Sequence, residues 1–288
     1  MTAPVLADAL GPRARRRVHI ASAIAVALLA FMLYVAFRRL SDRDQLDWAK
    51  WEPLTRWSVL KFLLLGLLAT VRAASLGMVL ALVLGGGLAL MRLSRSAPVR
   101  WLATAWVEFF RGFPLLLLIL FAFLTPPEYD VSITPFRAVV AGLALYNGAM
   151  LGEIFRAGIL SLDRGQTEAS YAIGLTYWQT MMLVVIPQAA RRMLPAIISQ
   201  MVTLLKDTSL GFVIGYEELL RRSRSTGEFF HNPLQTLVFV ALMYIAVNFT
   251  LSRVAQSLEA RQRAKYGAGS IAHAGAEDLA VVSAVADT

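Results

Sequence analysis

Residues 168–187, EASYAIGLTYWQTMMLVVIP, decide the fold, because they place a polar, turned segment between two apolar runs of membrane-spanning length. Gly174 takes a positive φ at low cost and therefore predicts the end of a short helix. Asp163 or Thr167 can cap the start of that helix with a side-chain oxygen. We therefore expect an ordered turn here rather than an irregular loop.

A second short helix is predicted to start at Thr176, because Thr176 and Gln179 have the spacing of a capping box. We expect it to end at Pro187, which lacks a backbone N–H, and we expect Pro195 to lie in the first turn of the next span. The outcome is a compact helix-turn-helix. Its exposed polar and apolar side chains are expected to be Gln166, Glu168, Tyr171, Ile173 and Leu175.

The composition is that of a membrane protein. Of 288 residues, 57% are hydrophobic and only 16% are charged, which is too few to cover a soluble globular surface. The chain has no cysteine, so disulfides, thiolate metal sites and cysteine nucleophiles are excluded. The net charge of +9 comes mostly from residues at the ends of apolar runs, which indicates topology signals rather than nucleic-acid binding.

The apolar runs predict an all-α membrane protein with about six transmembrane helices. They cover residues 18–37, 73–91, 102–124, 137–159, 196–216 and 234–251. An even number of spans places both termini on one side. Basic residues at both ends favour the cytoplasm for that side, in a multi-pass protein of the plasma (inner) membrane.

The two ends of the chain differ from the middle. Residues 1–17 form a basic N-terminus, and the run 18–37 that follows could be a signal peptide. That run is long enough to span the bilayer and no small-residue cleavage site follows it, so we interpret it as an additional, uncleaved transmembrane helix. Residues 265–288 are rich in Ala, Gly and Ser and are predicted to be a disordered tail.

Small residues recur at every fourth position of the second span. A ladder with this spacing lets two helices approach closely, so we expect this face to pack against another span or another subunit. The ladder consists of Ala73, Gly77, Ala81, Gly85 and Ala89.

Polar side chains inside the fourth span are candidates for function, because burying them in a membrane is costly. Asn147 and Glu153 could line a translocation path. Alternatively, Glu153 and Arg156, which are three residues apart, form an ion pair within the helix.

A polar run interrupts the fifth span. It consists of Lys206, Asp207, Thr208 and Ser209, which cannot all face one direction on a helix. We hypothesise a helix break bordering the path, where Lys206 could bind a carboxylate and Asp207 an ammonium group. The alternative is that the two charges neutralise each other and stabilise the break at a subunit interface.

Nothing in the sequence indicates an enzyme. None of the lysines stands in the G-x-x-x-x-G-K-[ST] motif that cradles ATP phosphates. His19, His231 and His273 are isolated and lack the spacing of metal ligands, so neither catalytic nor metal-ligating residues are predicted.

Residues 168–187 resemble the EAA loop of ATP-binding cassette (ABC) importer permeases, whose pattern is E-A-A, three residues, Gly, nine residues and I-x-L-P. Here the pattern reads Glu168-Ala169-Ser170, Gly174 and 184–187 (VVIP), with Ser170 in place of the third alanine. In that family the first short helix inserts into a cleft of a cytoplasmic ATPase. The resemblance therefore implies that the ATPase is coupled through Gln166, Glu168, Ala169, Ser170 and Gly174.

The resemblance extends from residue 57 to 253 and is greatest to permeases for polar amino acids. Segments such as VEFFRGFPLLLLILFAF (107–123) and LLKDTSLGFVIG (204–215) occur in the order typical of that subfamily. The segment YNGAMLGEIFRAGI (146–159) and the long N-terminal extension are similar to the actinobacterial glutamate-uptake branch. This implies a type I importer permease domain at residues 57–256, with cytoplasmic coupling helices.

The function implied is the permease subunit of an ABC importer for a polar amino acid, with glutamate or glutamine favoured. The implied partners are ATPase subunits, a second permease or a copy of this chain, an extracellular solute-binding protein and the lipid bilayer. ATP and Mg²⁺ would be bound by the ATPase, with no cofactor in this chain.

Three other interpretations remain open. In an ion-driven secondary carrier, Glu153 or Asp207 would be the proton or cation site. A channel or structural membrane protein would take up no solute by active transport. Finally, residues 163–187 could be an amphipathic loop without a partner.

Overall fold

A computed structural model describes residues 11–129 and 131–257, and within them the all-helical prediction is confirmed, with no strand. Five helices are long and apolar enough to cross a membrane, and a bent pair makes a sixth if it is counted as one span. The predicted tail at 265–288 lies outside the described residues.

The first helix stands apart from the rest of the described chain. Helix α1 (Pro12–Asp42) covers the predicted additional span, and the side chains from residue 15 to 34 are all exposed. The short helix α2 (Trp48–Trp51), capped by the Asp47 carboxylate, follows it. The connection is fixed to the last span, because Gln235 and Asn232 donate hydrogen bonds to the carbonyls of Gln45 and Lys50 at 2.6 and 2.7 Å.

The centre of the molecule is the contact between α3 (Trp57–Arg92) and α6 (Pro135–Leu160). All five residues of the small-residue ladder on α3 are buried. A Cβ added to Gly85 would lie 2.9 Å from the carbonyl oxygen of Gly148 and 2.8 Å from Cβ of Leu151, both on α6. The prediction that this face packs against another span is therefore confirmed.

The predicted single span at 102–124 was wrong as a continuous helix. It is two helices, α4 (Ala97–Gly112) and α5 (Leu115–Leu124), and the axes on either side of the break differ by 99°. The break falls at Phe113 and Pro114, because proline lacks an N–H and excludes the helical conformation from the residue before it. Hydropathy alone did not reveal the bend, since both sides of it are apolar.

The predicted stop at Pro187 was also wrong. Helix α7 (Arg164–Ala172) is the expected first short helix, but α8 (Tyr177–Thr180) continues through a π-helical turn (Met181–Val185) into α9 (Ile186–Asp207). The Ile186 N–H bonds to the carbonyl of Met181, five residues back. The widened turn accommodates the proline ring, which would clash with a carbonyl in a regular helix.

The helical stretch that contains the fifth span therefore starts earlier than predicted. Tyr177–Ile214 is continuous and apolar enough to cross a membrane, and Pro195 lies inside α9 instead of in its first turn. After α9 come a 3₁₀ segment (Thr208–Ile214), helix α10 (Leu219–Phe229) and the last span, α11 (Pro233–Ser257).

Candidate functional sites: the EAA segment and the intramembrane polar groups

The EAA segment, residues 163–187, folds through local capping, as the sequence predicts. The Asp163 carboxylate accepts a hydrogen bond from the Gly165 N–H at 2.8 Å. At the other end of α7, Gly174 has φ +84°, and its N–H donates to Tyr171 while that of Leu175 donates to Ser170. These two bonds form a Schellman motif, which satisfies the last carbonyls of α7.

The capping box at the start of α8 is confirmed as well. The Thr176 hydroxyl accepts from the Gln179 N–H, and the Gln179 side chain accepts from the Thr176 N–H at 2.8 Å. Both ends of the turn between α7 and α8 are therefore fixed by hydrogen bonds, so the turn has a defined conformation.

Helix α7 is attached to the span that follows it. The Gln188 amide donates to the Gln166 side-chain oxygen at 3.1 Å, and the Arg192 guanidinium donates to the Ser161 carbonyl at 2.5 Å. Ser170 is buried, and its hydroxyl donates to the Gln166 carbonyl at 2.7 Å. The bond between Gln166 and Gln188 joins α7 to α9 directly, whereas Arg192 joins α9 to the C-terminal end of α6.

The outer face of the EAA segment is exposed. Gln166 and Glu168 are exposed, as predicted, although the Gln166 side chain also bonds to α9. Ile173 is 77% exposed and Tyr171 44%, whereas Leu175 is half-buried. Apolar side chains this exposed beside carboxylate and amide groups are typical of a surface that binds another protein.

A charged cluster lies at the same end of the spans. Glu153 on α6 bonds to Arg156 at 2.5 Å, as the ion-pair interpretation predicts, and it also pairs with Arg92 at the end of α3. Arg92 in turn lies 3.9 Å from Glu108 on α4. Arg92 thus links α3 to Glu153 on α6 and to Glu108 on α4. These contacts between helices could not be inferred from spacing along one helix.

Asn147 is fully buried between two spans. Its amide donates to the Leu143 carbonyl at 2.9 Å, and its oxygen accepts from Gln200 on α9 at 2.6 Å. Gln200 was not among the residues predicted from the sequence, although it is a polar residue within a span and could have been identified on that ground.

The break predicted in the fifth span is present, since α9 ends at Asp207 and a 3₁₀ segment starts at Thr208. Lys206 is exposed and Asp207 is half-buried, whereas Thr208 is fully buried and donates to the Leu205 carbonyl at 2.7 Å. The 3₁₀ turn thus gives these neighbouring polar groups different environments.

The structure does not bring Glu153 and Lys206 together. Asn147 contacts Gln200, and Gly158 lies directly beside Met193, so α6 and α9 run antiparallel. Glu153 and Lys206 are each six residues from the Asn147 contact, in opposite directions along the helix axis. At 1.5 Å per residue they are about 18 Å apart along it.

Glu218 is a further buried polar group that the sequence analysis missed. Its carboxylate is fully buried and accepts bonds from the N–H groups of Leu220 and Arg221 and from the Tyr244 hydroxyl, at 2.7 to 2.9 Å. Burial raises the pKa of Glu218, although the backbone hydrogen bonds oppose the shift. The carboxylate caps α10 and holds it against α11.

The geometry defines an integral membrane protein with an exposed, capped helical turn at one end of its spans. Residues 81–264 match the family model described as the binding-protein-dependent transport system inner membrane component. The glutamate transport system permease protein GluD of Corynebacterium glutamicum is 41% identical over 231 residues, which cover 78% of this chain and 84% of that protein.

Two further comparisons agree. The glutamate/aspartate import permease protein GltK of Escherichia coli is 33% identical over 225 residues, covering 75% of this chain and 98% of that protein. A crystal structure of an amino acid ABC transporter with histidines superposes with a TM-score of 0.68 at 29% identity, over 72% of this chain and 97% of that one.

The chain therefore belongs to the family of binding-protein-dependent transport system inner membrane components, the permeases of ABC importers. In such systems the ATPase is a separate subunit, and the permease works with it and with a solute-binding protein.

Proposed function

We propose that this chain is the permease subunit of an ATP-driven importer for glutamate or glutamine. The relatives GluD and GltK are named for the transport of glutamate, or of glutamate and aspartate, which supports an amino acid with a carboxylate side chain. An amide side chain is supported by the probable glutamine ABC transporter permease protein GlnP of Bacillus subtilis, which is 39% identical over 209 residues. Family membership also favours ATP over an ion gradient as the energy source, against the secondary-carrier alternative.

The proposed assembly contains two ATPase subunits, a second permease or a second copy of this chain, and an extracellular solute-binding protein. ATP and Mg²⁺ bind to the ATPase in this proposal, and nucleic acid is not a partner. In this proposal, both termini and the EAA segment lie in the cytoplasm, where the ATPase can reach α7.

One observation carries the coupling role: α7 is capped at both ends, exposes its outer face, and is bonded to α9 through Gln166 and Gln188. A force applied by the ATPase to Glu168 and Ile173 would therefore reach the spans. Ala169, Ser170 and Gly174 serve this role by fixing the shape and exit of α7.

The experiment is co-purification of the ATPase with a tagged form of this chain. Replacing residues 168–174 with a Gly/Ser linker of equal length should abolish recovery of the ATPase. The control changes an exposed ion pair on α10 at the other end of the spans, Arg224→Gln with Glu228→Gln, and should retain it. Equal recovery from both variants would contradict the proposal.

For the substrate path we propose the break at Lys206, Asp207 and Thr208, because α9 ends there with Lys206 exposed and Asp207 half-buried. Asn147 and Glu153, which bond to neighbouring helices, would border the path only after these helices shift.

A Lys206→Met variant should raise the substrate concentration for half-maximal uptake, and unchanged uptake kinetics would remove Lys206 from the path.

A further inference from the structure

A cavity of about 430 Å³ lies at the end of the spans opposite the EAA segment. Its wall is formed by α3, the start of α6, the turn after the 3₁₀ segment and α10, with polar lining residues Arg72, Thr134, Tyr216, Glu217 and Arg222. We call this set the entrance pocket. The volume falls within the range of roughly 300–1,000 Å³ that small-molecule sites occupy.

The position of Arg72 defines the depth of the entrance pocket. Arg72 precedes Arg92 by twenty residues on one continuous helix, so the two lie about 30 Å apart, which is the thickness of the hydrocarbon core. Because Arg92 belongs to the charged cluster beside the EAA segment, Arg72 lies at the opposite boundary. A substrate that arrives from outside the cell would meet this end first.

The entrance pocket carries positive charge that the described residues neutralise only in part. Arg72 makes no ion pair or hydrogen bond with any residue in 11–129 or 131–257. Arg222 donates to the Phe62 carbonyl at 3.0 Å, but its Nε is buried without a hydrogen-bond partner in the same ranges. The N-terminus of α6, capped by Thr134, adds the positive end of a helix dipole.

One carboxylate complements these cations. Glu217 is exposed and forms two long ion pairs, with Arg221 at 3.7 Å and with Arg222 at 3.9 Å, both too far for a hydrogen bond. Because neither contact is a hydrogen bond, the carboxylate can still accept one from a ligand ammonium group. Burial raises the pKa of the Tyr216 hydroxyl, and the positive charge of Arg72 opposes this shift. Arg72 and Tyr216 both line the entrance pocket, close enough for the charge of Arg72 to act on the hydroxyl.

The entrance pocket is held in place by buried contacts. The Glu218 carboxylate caps α10, and the Leu219 N–H donates to the Thr70 hydroxyl on α3 at 3.2 Å. The Tyr216 hydroxyl donates to the Ala69 carbonyl at 2.8 Å. The elements that carry Arg72 and Arg222 are therefore preorganised with respect to each other.

We propose that the entrance pocket binds an amino acid with a carboxylate side chain, and that Arg72 selects that side chain. Arg72 would bind the side-chain carboxylate, whereas Arg222 and Glu217 would bind the α-carboxylate and the α-ammonium group. Guanidinium groups suit this role because they bind carboxylates through two parallel hydrogen bonds. The inference rests on the proposed amino-acid transport and adds a site and a basis for selectivity.

The test uses the absence of cysteine from the chain. An Ala69→Cys variant places a single thiol in the wall of the entrance pocket, in the importer assembled with its ATPase and binding protein in phosphatidylcholine nanodiscs. The readout is the rate at which a charged methanethiosulfonate reagent modifies this thiol. We expect L-glutamate to slow the modification much more than L-glutamine does.

Adding Arg72→Gln should raise the L-glutamate concentration for half-protection by about tenfold or more, because one charge-assisted hydrogen-bond pair is lost. The matched control is Lys61→Gln, which removes a positive charge from the same helix outside the entrance pocket and should leave protection unchanged. Equal protection by L-glutamate with and without Arg72 would overturn the proposal.

A lipid phosphate could also satisfy Arg72. Nanodiscs with added phosphatidylglycerol separate the two sources. Slower modification that depends on this lipid and on Arg72, but not on L-glutamate, would assign Arg72 to a headgroup and overturn the proposal. ATP-dependent uptake by the same Ala69→Cys importer is measured in parallel, after reconstitution into proteoliposomes. Normal uptake without protection by L-glutamate contradicts the entrance pocket alone, whereas absent uptake contradicts the proposed function.

Discussion

At the scale of single residues, the missing side chain of Gly85 sets the distance between α3 and α6. A Cβ there would lie within 3.0 Å of backbone atoms of Gly148 and Gly152, which cannot rotate away. A Cβ added to Gly86, the next residue, would have no neighbouring atom within 4 Å. Two adjacent glycines of one helix therefore differ completely in their tolerance of a larger side chain.

We predict that Gly85→Val lowers the stability of the purified protein by about 1–3 kcal/mol, as overpacking does in other cores. The measurement is the melting temperature in detergent, with Gly86→Val as the control for the propensity of valine in a helix. Equal melting temperatures of the two variants would show that the close approach of α3 and α6 is not required.

Gly174 has a different constraint, because it has space for a side chain but an unfavourable backbone conformation for one. Its φ of +84° costs an L-residue about 1–2 kcal/mol, with asparagine among the better tolerated. We predict that Gly174→Asp lowers ATP-dependent uptake by about tenfold while ATP hydrolysis continues. Gly174→Asn, which matches aspartate in size but has no charge, should show a comparable loss, and a much smaller loss for Gly174→Asn would indicate that the charge matters instead of the conformation.

At the scale of elements, α6 and α9 are joined in the middle of the membrane by the bond between Asn147 and Gln200. Hydrogen bonds between transmembrane helices contribute on average about 0.6 kcal/mol and at most about 1.7 kcal/mol. We predict a coupling energy in this range from a double-mutant cycle of Asn147→Ala and Gln200→Ala, measured by unfolding in detergent. Additive effects of the two substitutions would mean that the bond contributes nothing.

Helix ends were predicted correctly where the residues that determine them lie within a few positions of each other in the sequence. The caps at Asp163 and Thr176 and the positive φ of Gly174 are of this kind. The stop at Pro187 was wrong because a π turn, which no spacing rule indicates, absorbs the proline within a continuous helix. The bend at Pro114 was missed because hydropathy does not record direction.

Contacts between distant segments could not be predicted from the sequence. Arg92 and Glu153 are sixty-one residues apart, and Glu218 meets Tyr244 only because α10 folds back along α11. The identities of the polar residues were visible, but their partners depend on which helices are neighbours. The candidate path residues therefore remain predictions, whereas the caps and the turn between α7 and α8 are confirmed.

At the scale of the whole molecule, the two candidate sites lie at opposite ends of the same helices. The EAA segment and the charged cluster of Glu153 occupy one end, and the entrance pocket with the helix break at Lys206 occupies the other. Helices α3, α6 and α9 run between them and pack through small residues and one buried amide pair. In the proposed mechanism, these helices connect α7 to the entrance pocket.

The most direct test of the central claim, that α7 receives work from a separate ATPase, is uptake of labelled L-glutamate into proteoliposomes. We predict accumulation only when this chain, its ATPase and its binding protein are present together with Mg-ATP on the side of the EAA segment. Accumulation by this chain alone, driven by a proton or sodium gradient without nucleotide, would contradict the claim.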